Sequence, residues 1–231
     1  MSDVRDKLIV ALDLPNVAQA QEMVDRLGDS VSFYKIGMEL TYGGGLNLVK
    51  ALVSQGKKVF LDLKLHDIPH TVEMATARLA DLGATFLTVH AYPQTMQAAH
   101  KGRAGSDLQI LGVTVLTSMD NDDLAQAGFA FNVSKLVAQR AGHALEAGID
   151  GLICSAADIA DVINTVGNSL KIITPGIRPA GSDIGDQKRI MTPANAIKAG
   201  VDHLVIGRPI TQAKDPRDVA EAIISEIASA L

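Results

Sequence analysis

Eight short runs of apolar and β-branched residues, each followed by a helical pattern, leave few folds open to this chain. The runs are LIVALDL, FYKIGME, KVFLDLK, FLTVHA, QILGVTVLT, GLICSA, KIITPGI and HLVIGRP. Between them, apolar residues recur at the spacing of one helix face, as at Val17, Ala20, Val24 and Leu27 or at Val72, Ala75, Leu79 and Leu82. Asn16 with Gln19 has the form of a capping box, and Asp215 before Pro216 that of an N-cap followed by proline at the first helical position. Gly28, Gly56, Gly83, Gly148 and Gly200 each close a helical pattern shortly before a new strand, as a left-handed C-cap does. The first three are about 27 residues apart, the length of one βα unit. Strands alternating with helices mean a parallel sheet with crossovers. Eight such units predict one (β/α)8 TIM barrel domain over residues 1–231. A doubly wound open sheet is the alternative, and no G-x-G-x-x-G follows the first strand to support it.

Charge and cysteine usage narrow the partners. A formal net charge of -5 without long like-charge blocks argues against nucleic acid and points to a small molecule or a protein. The single cysteine, Cys154, lies in the apolar run GLICSA, so no disulfide framework exists and a reducing compartment is expected. No run approaches the roughly 20 apolar residues of a membrane span, and MSDVRDKLIVALDLP is too short in apolar residues for a signal peptide. A soluble, cytoplasmic protein is the expectation.

In a barrel of this kind the active site lies at the C-terminal ends of the strands. Polar residues crowd there: Asp13 after the first run, Lys35 in the second, Asp62 and Lys64 in the third, His90 in the fourth, Thr117 and Ser118 after the fifth, Arg178 after the seventh and Arg208 after the eighth. The third run continues as FLDLKLHDIPHT, from Phe60 to Thr71. If Val59 to Lys64 is a strand, Val59, Leu61 and Leu63 point one way and Phe60, Asp62 and Lys64 the other. Burying a carboxylate and an ammonium costs several kcal/mol per ion, so stability alone is a poor reason for this pattern. A salt bridge on an edge strand is the bland alternative.

The eighth run ends in Gly207, Arg208 and Pro209, a turn in which backbone N–H groups and a guanidinium suit an anion such as phosphate. The segment RPAGSDIGDQKRIMT, Arg178 to Thr192, is longer than most βα loops and reads as a lid in which Arg178 and Gln187 hold ligand. Lys64, flanked in sequence by Asp62 and Asp67, is expected to stay protonated, which does not suit a Schiff base. A fixed ammonium is better suited to stabilising negative charge on carbon and then delivering a proton, as decarboxylation without an electron-sink cofactor requires. His90 reads as a hydrogen-bonded core residue, and His66 as one that packs or faces a partner.

FLDLKLHDIP, with YKIGMEL upstream and LTS, PGIRP, GDQKRIMTP and VIGRPI downstream, resembles the bacterial orotidine 5'-phosphate decarboxylases from the first strand to the last helix. The resemblance implies that Lys64 donates a proton to C6 of the pyrimidine within an array of Lys35, Asp62, Lys64 and Asp67, with no metal or organic cofactor. It implies a homodimer in which Asp67 and Thr71 serve the other subunit's site. It places Asp13 and Lys35 on the ribose, Thr117 and Ser118 near the pyrimidine, Ile68 and Thr71 in the ligand-contacting stretch, and Arg178, Gln187, Gly207 and Arg208 around the phosphate. His70 departs from the family, which commonly has Asn there. Two alternatives stay open: a magnesium-dependent sugar-phosphate decarboxylase or synthase of the same barrel superfamily, which shares D-x-K-x-x-D, and a non-catalytic phosphate-binding barrel.

Overall fold

The computed structural model describes residues 3–179 and 191–231. Each of the eight apolar runs contains a strand: β1 (Leu8–Ala11), β2 (Phe33–Gly37), β3 (Lys58–Leu65), β4 (Phe86–His90), β5 (Gln109–Val113), β6 (Gly151–Ile153), β7 (Lys171–Thr174) and β8 (His203–Ile206). All neighbouring pairs are parallel, and β8 returns to β1 to close the barrel in sequence order. The helices between them are α1 (Val17–Leu27), α2 (Met38–Leu40), α3 (Leu46–Ser54), α4 (Pro69–Ala80), α5 (Pro93–Gly102), α6 (Asn121–Gln126), α7 (Val133–Glu146), α8 (Ile159–Val166), α9 (Pro193–Lys198), α10 (Arg208–Thr211) and α11 (Pro216–Ala230). None is long and apolar enough to cross a membrane.

Helix boundaries follow local chemistry. Asn16 Oδ1 accepts the Gln19 amide at 2.9 Å and Asp215 Oδ1 accepts that of Asp218 at 3.3 Å, so both N-caps satisfy backbone donors that α1 and α11 would otherwise leave open. At the other end, Gly56 and Gly83 hold φ of 73° and 77°, where a side chain would be strained, and turn the chain from helix into strand.

Alternation along the strands divides the core in two. Leu8, Val10, Tyr34, Val59 and Leu61 face outward and pack beneath the helices. Ile9, Ala11, Phe33, Phe60, Phe86, Leu111, Val113, Ile153, Ile173 and Val205 fill the barrel interior. At the N-terminal end of the strands the rings of Phe33 and Phe86 lie 5.2 Å apart, and His203 meets both edge-on, at 5.8 and 5.3 Å. This aromatic plug closes one mouth of the barrel and leaves the opposite mouth for polar residues. The fifth strand is shorter than its apolar run: β5 stops at Val113, and the buried Arg140 guanidinium bonds the carbonyl of Thr114.

Candidate active site

Asp13, Lys35, Asp62 and Lys64 reach the open mouth from three successive strands and form one row of alternating charge. Lys35 Nζ donates to Asp13 Oδ1 at 2.8 Å and lies 3.5 Å from Asp62 Oδ2. Lys64 Nζ donates to the other oxygen of Asp62, Oδ1, at 2.8 Å. Burial works against the Lys35 ammonium, but Asp62 and Asp13 outweigh it and raise its pKa above the usual lysine value. Burial works equally against the Asp62 carboxylate, and there Lys35 and Lys64 prevail and hold its pKa low. The Asp62 carboxylate thus has two ammonium partners, and Lys35 would still face it if Lys64 were removed. Gly37 makes room for the pair above it: a Cβ there would stand 2.9 Å from Asp13 Oδ1 and 3.1 Å from Lys35 Nζ.

The backbone of β3 is bent to build this row. Pairing with β4 runs Phe60 to Phe86 and Leu61 to Leu87, then resumes at Leu65 to Val89. Asp62, Leu63 and Lys64 therefore stand opposite a single residue, Thr88, as in a β-bulge with surplus residues on one strand. Within the bulge Lys64 takes φ of 49°, the left-handed region that a lysine rarely adopts. Its amide donates to Thr88 Oγ1 at 3.0 Å, and that hydroxyl donates to Asp62 Oδ1 at 2.9 Å. Non-glycine residues held in this conformation cluster at functional sites, because the surrounding structure must sustain the strain.

The row forms one side of a cavity of about 570 Å³ at the C-terminal ends of the strands. Its floor is apolar, from Ala11, Phe60, Val113, Ile153 and Val205, and Arg178, Gly207 and Arg208, which follow β7 and β8, also line it. Arg178 is buried and donates to the Ile177 carbonyl at 3.0 Å, while its amide bonds the Met191 carbonyl at 3.0 Å across the base of the long loop. A pocket lined by two arginines, an ion row and an apolar floor suits an anionic ligand with a flat apolar part.

Comparison with known proteins settles the family. The model of the orotidine 5'-phosphate decarboxylase / HUMPS family matches residues 6–223. The chain belongs to this family. It is 61% identical over 227 residues to an orotidine 5'-phosphate decarboxylase of Bradyrhizobium sp., covering 98% of this chain and 93% of that one. It is 60% identical over 228 residues to the enzyme of the same name from Rhodopseudomonas palustris, covering 99% and 97%. Among solved structures, orotidine 5'-phosphate decarboxylase from Lactobacillus acidophilus superposes with a TM-score of 0.86 at 40% identity, over 96% of this chain and 99% of that chain.

Family membership and geometry together sort the residues singled out from sequence. Asp13, Lys35, Asp62, Lys64, Thr117, Arg178, Gly207 and Arg208 line the cavity. Ser118 is exposed and lies outside its wall. Asp67, Ile68 and Thr71 are also exposed and absent from the cavity of their own chain. β3 ends at Leu65, two residues before Asp67, and among the described residues no ion pair joins Asp67 to Lys64 of the same chain. The Asp67 carboxylate instead accepts the Ile68 amide at 2.7 Å. Gln187 lies outside the described residues. His66 stacks on Tyr92 at 4.5 Å and pairs with Thr95 Oγ1 at 3.2 Å, with His90 edge-on to it at 5.7 Å; neither histidine lines the cavity. Sequence reading missed Met38, Glu39, Thr211 and Gln212 in the wall. The first two directly follow Gly37 and the last two follow the Arg208 turn, so position after a strand end was the available signal.

Proposed function

We propose that this chain decarboxylates orotidine 5'-phosphate to UMP and CO2, the UMP-forming step of pyrimidine biosynthesis, with Lys64 as proton donor. The observation that carries the reading is the Lys64 ammonium, bonded at 2.8 Å to Asp62 and lining a cavity that two arginines, Arg178 and Arg208, also line. In this reading Arg178, Gly207 and Arg208 bind the phosphate, with Gln187 joining them, and Asp13 and Lys35 hold the ribose hydroxyls. Thr117 lies against the pyrimidine, with Ser118 nearby.

Breaking the bond from C6 to the carboxyl carbon leaves its electron pair on C6, in the ring plane, where the π system cannot delocalise it. Electrostatics must then stabilise the charge, and a fixed ammonium in a site that excludes water does this at no reorganisation cost. Lys64 next transfers a proton from Nζ to C6, giving UMP, and recovers one from solvent. Asp62, against the departing carboxylate, raises the energy of the bound substrate relative to the transition state. Phosphate contacts far from C6 contribute binding energy that assembles the site. No step is assigned to a metal: Asp13 and Asp62 already engage ammonium groups.

The functional unit in this reading is a homodimer in which Asp67 and Thr71 enter the partner's site, with Ile68 in the same ligand-contacting stretch. Their exposure beyond their own cavity, with Ile68 67% exposed, supports it. The deciding experiment follows the ultraviolet absorbance of orotidine 5'-phosphate on adding purified protein, with and without EDTA. A fall unaffected by EDTA is expected. Dependence on added magnesium would transfer the chain to the sugar-phosphate branch, and tight nucleotide binding with no turnover would make it a silent barrel.

A further inference from the structure

We propose that Thr88 is a positioning residue for the decarboxylation, aiming the Asp62 carboxylate and the Lys64 ammonium through a single hydroxyl. Thr88 sits in the middle of β4, is fully buried and does not line the cavity, so it touches no ligand directly. It is the sole β4 residue opposite the three bulged residues of β3. Its Oγ1 accepts the Lys64 amide at 3.0 Å and donates to Asp62 Oδ1 at 2.9 Å. That same oxygen of Asp62 receives Lys64 Nζ at 2.8 Å.

One hydroxyl thus closes a ring that runs from the Lys64 backbone through Thr88 and Asp62 to the Lys64 side chain. The backbone bond sustains the left-handed conformation of Lys64, which no glycine is there to relieve. The carboxylate bond fixes one Asp62 oxygen toward Lys64 and leaves the other toward Lys35. Valine at this position would keep the shape and lose both bonds. Serine would keep the hydroxyl.

The inference rests on the decarboxylase reading, so its test has two arms. Steady-state kinetics of Thr88→Val should show kcat reduced by about 10- to 100-fold, the scale of a lost hydrogen bond to a charged group, with product affinity nearly unchanged. Thr88→Ser should recover most of the loss. Independently of turnover, a ¹³C-carboxyl NMR titration of the unliganded protein should find Asp62 titrating higher in Thr88→Val than in the parent or in Thr88→Ser. A valine variant with parental kcat, or a serine variant as slow as valine, would overturn the proposal. If the parent itself shows no turnover, the decarboxylase reading fails and the carboxyl titration alone decides: an unmoved Asp62 would overturn the role of Thr88.

Discussion

Gly37 lies directly beneath Asp13, so close that a single methyl group would stand 2.9 Å from the Asp13 carboxylate. Its backbone φ of -89° is ordinary, so the requirement for glycine here is space and not conformation. Gly37→Ala should therefore push the Asp13 carboxylate, the mobile end of a side chain that is 55% exposed, away from Lys35 at little cost to stability. The check is a denaturation midpoint together with KM. The midpoint should stay near the parental value while KM rises through the displaced Asp13, and a parental KM would mean that the pair keeps its contact.

Lys64→Ala should remove both charge stabilisation and proton delivery. Together these are worth at least about 10^4-fold in kcat. Circular dichroism should match the parent, since Lys64 is only partly buried, at 25% side-chain exposure. Appreciable turnover in a folded Lys64→Ala protein would remove Lys64 from the chemistry.

Arg208→Ala should weaken UMP binding by about 1.5–3 kcal/mol, the range for a charge-assisted bond, and leave uridine binding nearly unchanged. Calorimetry with both ligands separates the two cases. Equal losses for UMP and uridine would place Arg208 away from the phosphate.

Mixing experiments bear on the dimer. Lys64→Ala and Asp67→Asn should each be inactive alone, yet their heterodimers would hold one intact site, assembled from Lys64 of one chain and Asp67 of the other. Random exchange then restores about a quarter of the sites. No recovery after verified exchange would confine Asp67 to its own chain.

The aromatic plug predicts a pH dependence of stability. Burial depresses the pKa of His203, only partly offset by its Nδ1 bond to the Asp6 carbonyl at 2.8 Å. His90 is depressed in the same direction, also by burial first. The unfolded chain therefore binds protons more readily than the folded one. Stability is complete above the unfolded histidine value of 6.5 and falls as pH drops from there toward the depressed folded value. Melting temperatures taken at about pH 7.5 and about pH 5.5 should show this loss, reduced in His203→Gln, with His90 accounting for what remains. An undiminished difference in that variant would assign the dependence elsewhere.

The barrel could be read from the chain because its signals are local. An apolar run reports its own strand, an Asn16 or Asp215 side chain caps its own helix, and a glycine such as Gly56 or Gly83 turns its own βα junction. The Asp62 and Lys64 pattern was legible because two opposite charges stand out in one apolar run, although the bulge that aims them is not signalled there. For Asp67, beyond the end of β3 at Leu65, alternation along the strand no longer gives a position. Thr88 was invisible, for it lies 26 residues from Asp62 in an apolar strand that any barrel would contain. Gly37 likewise gave no sign that it makes room for two charges. Periodicity and capping act over a few residues, so sequence alone determined the eight βα units and the residues at their mouths. The slip in register between β3 and β4, and with it the hydroxyl that joins Lys64 to Asp62, depends on which strands become neighbours, and only closure of the barrel decides that.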